Sequence, residues 1–118
     1  MKSIFGLDDN VAAALSYLFG PFTGLAVLVM ERENKFVRFH AMQSTIWFTL
    51  ILIVGWLLAI IRDIPFIGWL LSIVVIPLAG VISVLGIVSL IFLMVKALNK
   101  ETFKIPIIGD VAWNQINK

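Results

Sequence analysis

The residues best suited to do chemistry lie in one stretch, residues 36–44, reading Phe-Val-Arg-Phe-His-Ala-Met-Gln-Ser. Placed on a helix of 3.6 residues per turn, His40, Gln43, Ser44 and Trp47 share one face, while Arg38, Met42, Thr45 and Thr49 share another. A His beside an amide and a hydroxyl could move protons, hold a ligand or bond to neighbouring helices. Proton relay needs an acid close by, and no carboxylate falls within a helix turn of His40. Two readings stay open for Arg38, His40, Gln43 and Ser44. One is anchoring with hydrogen bonds between helices; the other is a site for a ligand, a lipid or a protein partner.

No other chemistry is spelled out. No Ser sits in a nucleophile elbow, no glycine-rich loop precedes a Lys to cradle phosphate, and no paired carboxylates share an apolar segment. With no Cys and a single His, the chain lacks the nitrogen and sulfur ligands of a transition-metal site. The expectation is therefore a protein that is not an enzyme, with no catalytic residue, cofactor or metal. Glu31 and Glu33 can pair with Arg32, Lys35 or Arg38 in a solvated loop, where such pairs contribute roughly 0–1 kcal/mol. Two small-residue patterns matter for packing. Gly20 and Gly24 form a GxxxG, either a notch or kink within the chain or a face for homodimerisation. Ala79, Ser83 and Gly86 share one helix face suited to close approach by another helix.

The elements that must carry these residues are membrane helices. Of the 118 residues, 61% are hydrophobic and 14% charged, too apolar for a soluble domain of this size to hide. Lipid removes the difficulty. One all-α, polytopic membrane bundle is expected, occupying residues 1–118 as a single domain. Its three spans are placed at about residues 11–30, 41–61 and 77–98. Residues 64–95 are too long for one comfortable span and too short for two, so Pro77 is read as a break. That makes residues 64–76 a short interfacial or re-entrant helix. Four transmembrane helices are the alternative. Residues 99–118 form an amphipathic surface tail. The first apolar block is not expected to be a cleaved signal, because acids precede it and no small-residue cleavage site follows. No internal repeat is apparent.

Cations accumulate on the cytoplasmic side of membrane proteins. Arg32, Lys35 and Arg38 lie in the first loop; Lys96, Lys100, Lys104 and Lys118 lie in the tail. Only Arg62 lies between spans two and three, and only Lys2 before span one. Three crossings put both basic groups on one side, giving a multi-pass protein of the cell membrane with its N-terminus outside and its C-terminus cytoplasmic. The net charge of +2 is dispersed, so no nucleic-acid partner is expected. Lipid is the certain neighbour, and a homo-oligomer or a membrane-protein partner the further expectation.

Residues 16–24 (Ser-Tyr-Leu-Phe-Gly-Pro-Phe-Thr-Gly), the loop at 31–35, the stretch 36–44 and the Lys-Ala-Leu-Asn-Lys-Glu at 96–101 together carry a resemblance. The chain resembles the small prokaryotic membrane proteins grouped with the Tic import component of the chloroplast inner envelope. That resemblance implies a four-helix membrane protein and a part in a protein-conducting passage. The residues themselves favour a scaffold or subunit acting through lateral helix contacts. A component of a transport or import passage is the alternative.

Overall fold

The computed structural model describes residues 6–117; Lys2 and Lys118, which entered the charge comparison, lie outside the described residues. Five helices follow one another: α1 (Asp9–Leu15), α2 (Pro21–Met30), α3 (Lys35–Arg62), α4 (Ile67–Leu98) and α5 (Ile108–Ile116). The all-helical expectation holds. Two helices, α3 and α4, are long and apolar enough to cross a membrane. Their most apolar windows are 17% and 6% buried, whereas a helix in a soluble core would be mostly covered.

The first apolar block is not a span. It breaks at Ser16–Gly20 into two short helices. The cause is local. Gly20 takes φ 63° and ψ −131°, a backbone region open to glycine, and Pro21 follows as the first residue of α2. A proline there cannot continue a helix arriving from α1, but it starts a new one well. The turn is tied by Thr23, whose hydroxyl accepts the Phe19 N–H at 3.0 Å and lies 3.1 Å from the Ser16 carbonyl.

The two short helices run in opposite directions. The Asn10 amide donates to the Leu98 carbonyl at 2.9 Å, so α1 starts at the C-terminal end of α4. Ser16 and Gly20 then reach Ser44, and Gly20 reaches Phe48, deeper along α3. α2 climbs back, with Gly24 against Ala41, Ser44 and Thr45 and Leu28 against Arg38. Ala12 and Val27 accordingly meet Val37 and Ala41 in one apolar cluster. The block enters and leaves at the same end of the molecule. The single helix expected over residues 11–30 is therefore a pair of short helices, re-entrant in shape, and the helices long and apolar enough to cross a membrane are α3 and α4.

Pro77 does not break α4, which runs unbroken for 32 residues. A proline in mid-helix forfeits one backbone hydrogen bond. Ending the helix in lipid would leave several polar groups without water, a larger loss. Residues 67–76 are thus the opening turns of α4, and the separate interfacial helix expected at 64–76 is absent.

A short repeat does exist. Ile64-Pro65-Phe66-Ile67-Gly68 and Ile105-Pro106-Ile107-Ile108-Gly109 have the pattern Ile-Pro-x-Ile-Gly, and each opens a helix. In both, the middle residue has positive φ, 65° at Phe66 and 69° at Ile107. The next N–H donates back to the proline carbonyl, at 2.7 Å and 2.8 Å, closing a γ-turn of the strained kind. Both glycines are required by space: a Cβ at Gly68 would collide with the Arg62 carbonyl, and one at Gly109 with Lys104.

Candidate functional site

The polar residues of α3 are held by the turn between α1 and α2, by the end of α2 and by residues 101–105, at the end of the molecule where α1, α2 and α5 gather. Asn34 caps α3, its side chain accepting the Val37 N–H at 3.1 Å, and its own N–H donates to the Glu31 carboxylate at 3.2 Å. That cap sets the rotation of α3. Its first turns then present His40 and Gln43 towards α1 and the tail, and Arg38 and Thr45 towards α2.

His40, Gln43 and Ser44 are fully buried. His40 Nε2 lies 2.9 Å from the Glu101 carbonyl, which can only accept, so Nε2 carries the proton. Nδ1 is then the acceptor, and the Tyr17 hydroxyl donates to it at 2.6 Å. The Gln43 amide nitrogen donates to the Tyr17 oxygen at 3.0 Å and to the Phe103 carbonyl at 2.9 Å. Its oxygen accepts the Ile105 N–H at 2.8 Å. The Gln43 amide thus bonds to residues 103 and 105 as the N–H and C=O of one residue in a parallel strand would. Ser44 donates to the Ser16 and Gly20 carbonyls at 2.7 Å and 3.0 Å, satisfying the turn between α1 and α2. Phe36 and Phe39 stack edge-on against the His40 ring, and Trp113 of α5 stacks on Phe39.

Arg38 works on the other face. Its Nη1 donates to the Leu28 and Glu31 carbonyls at 3.0 Å and 2.6 Å, closing the end of α2. Gly24 sits where a Cβ would lie 2.9 Å from the Thr45 hydroxyl and 3.0 Å from the Ala41 carbonyl. Gly20 and Gly24 therefore face α3 of their own chain and not a free surface. Gly20 lies in the turn, so the two are not on one helix.

The six residues singled out in the sequence all belong to this end of the molecule. Residues missed there include Tyr17, Ser16, Glu101, Phe103 and Ile105. Tyr17 had a signal, being the chain's one tyrosine, set in an apolar block where its hydroxyl needs a partner. The carbonyls of Ser16, Glu101 and Phe103 had none, because a backbone acceptor leaves no mark on the side-chain pattern. Among the described residues no group of three or more His, Cys, Asp or Glu could hold a metal. What the arrangement does chemically is join: one connected set of hydrogen bonds ties the turn between α1 and α2, α3 and residues 101–105 together.

Comparison with known proteins agrees on a family. Residues 8–112 match the family model described as the magnetosome magnetite crystal formation protein family. A UPF0132 membrane protein of Archaeoglobus fulgidus is 46% identical over 111 residues, covering 93% of this chain and 97% of its own. Another, from Methanocaldococcus jannaschii, is 43% identical over 112 residues, covering 94% and 91%. Magnetosome protein MmsF of Paramagnetospirillum magneticum is 32% identical over 114 residues, covering 95% and 92%. No solved structure matches. The resemblance to the Tic import component is corrected by these matches, which lead to a different family and leave the import passage without its motive.

Proposed function

Since the chain belongs to the magnetosome magnetite crystal formation protein family, we propose that it is a membrane scaffold subunit, not an enzyme, that makes lateral contacts through α4. The mineral in the family description is a statement about that family's named members. The reading for this chain rests on its own geometry.

The observation that carries it is the outward face of α4. A Cβ at Gly80 would meet nothing within 4 Å, and Ile73, Ile76, Val84 and Ile87 around it are 57–79% exposed. A glycine among branched side chains is a notch that another helix can enter closely. Ala79 and Gly86, by contrast, are half-buried, and Gly86 faces Ile51 of α3. Supporting a non-enzymatic role, Tyr17, His40 and Gln43 direct their polar groups to one another and to backbone.

The same geometry supports a sidedness. Arg32, Lys35, Arg38, Lys96, Lys100 and Lys104 lie at the end where both described chain ends lie, and Arg62 lies at the other. By the rule for cations, that end faces the cytoplasm.

A panel of single cysteines tests both parts on a chain with no cysteine of its own. In cells, Asp63→Cys is expected to label from outside while Gly6→Cys, Asn34→Cys and Asn117→Cys do not. In membranes, Gly80→Cys is expected to cross-link to a second copy or a partner, and Trp56→Cys on α3 is not. Opposite labelling of Gly6→Cys and Asn117→Cys overturns the sidedness. Absence of cross-linking at Gly80→Cys and Val84→Cys, with a monomer by photobleaching steps, overturns the lateral contact.

A further inference from the structure

Along the outer wall between α2 and α3 runs an open groove of about 700 Å³, lined by Phe22, Leu25, Val29, Thr45, Thr49 and Leu52 among others. Val29 also lines a second hollow of about 570 Å³, together with Leu28, Arg32, Arg38 and Ile116. Val29 borders both hollows. One is apolar; the other holds two guanidinium groups at the end of α2 and the start of α3. From Val29 to Phe22 the groove follows α2 for roughly 10 Å along the helix axis.

The arginines at its mouth have no ion-pair partner among the described residues. The ion pairs among the described residues are Lys96 with Glu101 and Lys104 with Asp110, so neither Arg32 nor Arg38 has one. Glu31 is buried and its carboxylate accepts the Asn34 N–H. Glu33, exposed in the same loop, pairs with neither arginine. The backbone bonds of Arg38 use Nη1 alone, leaving Nη2 and Nε for an incoming anion.

We propose that this composite site binds one anionic phospholipid, its phosphate between Arg32 and Arg38 and one acyl chain in the groove against Leu25 and Val29. Guanidinium suits phosphate because its planar fork donates two hydrogen bonds to two oxygens. A basic hollow at the end of a membrane helix is where an anionic headgroup is held. A soluble anion would use the arginines and leave the neighbouring apolar groove without a role; the two hollows sharing Val29 as a border is what selects lipid. The site lies on α2 and α3, apart from the α4 face proposed for lateral contacts, and stands or falls separately.

The test is native mass spectrometry of the full chain in detergent, titrated with phosphatidylglycerol and, separately, phosphatidylcholine. Phosphatidylglycerol is expected to be retained at least about tenfold more than phosphatidylcholine. Arg32→Gln is expected to reduce that preference several-fold, and Arg32→Gln with Arg38→Gln to abolish it. Arg38 also closes the α2–α3 loop, so Arg32→Gln, an exposed residue, keeps the test valid if the double variant does not fold. Val29→Trp, which fills the junction, is expected to weaken retention with both arginines present. Equal retention of the two lipids, or a preference unchanged in Arg32→Gln, overturns the proposal. So does full competition by inorganic phosphate, which would mark a soluble-anion site. A change in oligomer size in Val29→Trp with lipid retention intact also overturns it, since the groove would then hold a partner helix.

Discussion

The two ends of this molecule are built on different principles. At the first, α1, α2, α5 and the near halves of α3 and α4 enclose Tyr17, His40, Gln43 and Ser44. At the other, α3 and α4 continue alone as a hairpin. The buried residues of α3 all lie between Val37 and Phe48; none lies beyond. The enclosed end holds its shape by paired polar groups, each of which would be costly in lipid if left alone. The hairpin holds by side-chain packing of two apolar helices, as where Gly86 faces Ile51; the 3.0 Å hydrogen bond from Trp47 to Ser89 lies at the border between the two ends. Polar bonding fixes one arrangement, whereas an apolar face accepts many neighbours. The difference suits a molecule with one end folded for itself and the other offered to its surroundings.

Substitutions with opposite expectations at the two ends sharpen that contrast. The largest effect is expected for Gly24→Leu, which must push α2 off α3. Overpacking there should destabilise by about 3 kcal/mol, read by unfolding in mixed detergent micelles. Next comes Gln43→Leu, which strands the Phe103 carbonyl, the Ile105 N–H and a Tyr17 contact. It should cost about 2 kcal/mol and make Lys100 and Lys104 cleavable by trypsin at lower doses than in the parent. The smallest is Gly80→Leu in the hairpin, expected to shift stability by no more than about 0.5 kcal/mol while changing self-association. Should Gly80→Leu unfold as readily as Gly24→Leu, the two ends are not distinct in the way described.

The polar face of α3 was legible because its residues recur at helical spacing and are rare within an apolar chain. Its meaning was not, since two of the three groups that His40 and Gln43 meet in the tail are backbone carbonyls and the third a backbone N–H. The two prolines were misjudged in opposite senses. Pro21 looked like a kink in a span; with Gly20 at φ 63° before it, it turns the chain round. Pro77 looked like a break; alone among helix-forming neighbours in lipid, it removes one bond and the helix continues. Counting apolar residues saw the lengths of the blocks and not the backbone angles between them. The Ile-Pro-x-Ile-Gly repeat escaped for a related reason: it is only five residues long, and what gives its two copies meaning is the shared positive φ and turn geometry.

The re-entrant pair has one more consequence. Its tip reaches the level of Phe48, about 14 Å along α3 from Phe39, close to half of a hydrocarbon core of about 30 Å. In the orientation proposed above, one leaflet would accommodate four helices and the other two. With each helix about 10 Å across, the protein would displace roughly twice as much lipid area on one side as on the other. Many copies inserted the same way would enlarge one leaflet relative to its partner, and a sheet with unequal faces bends.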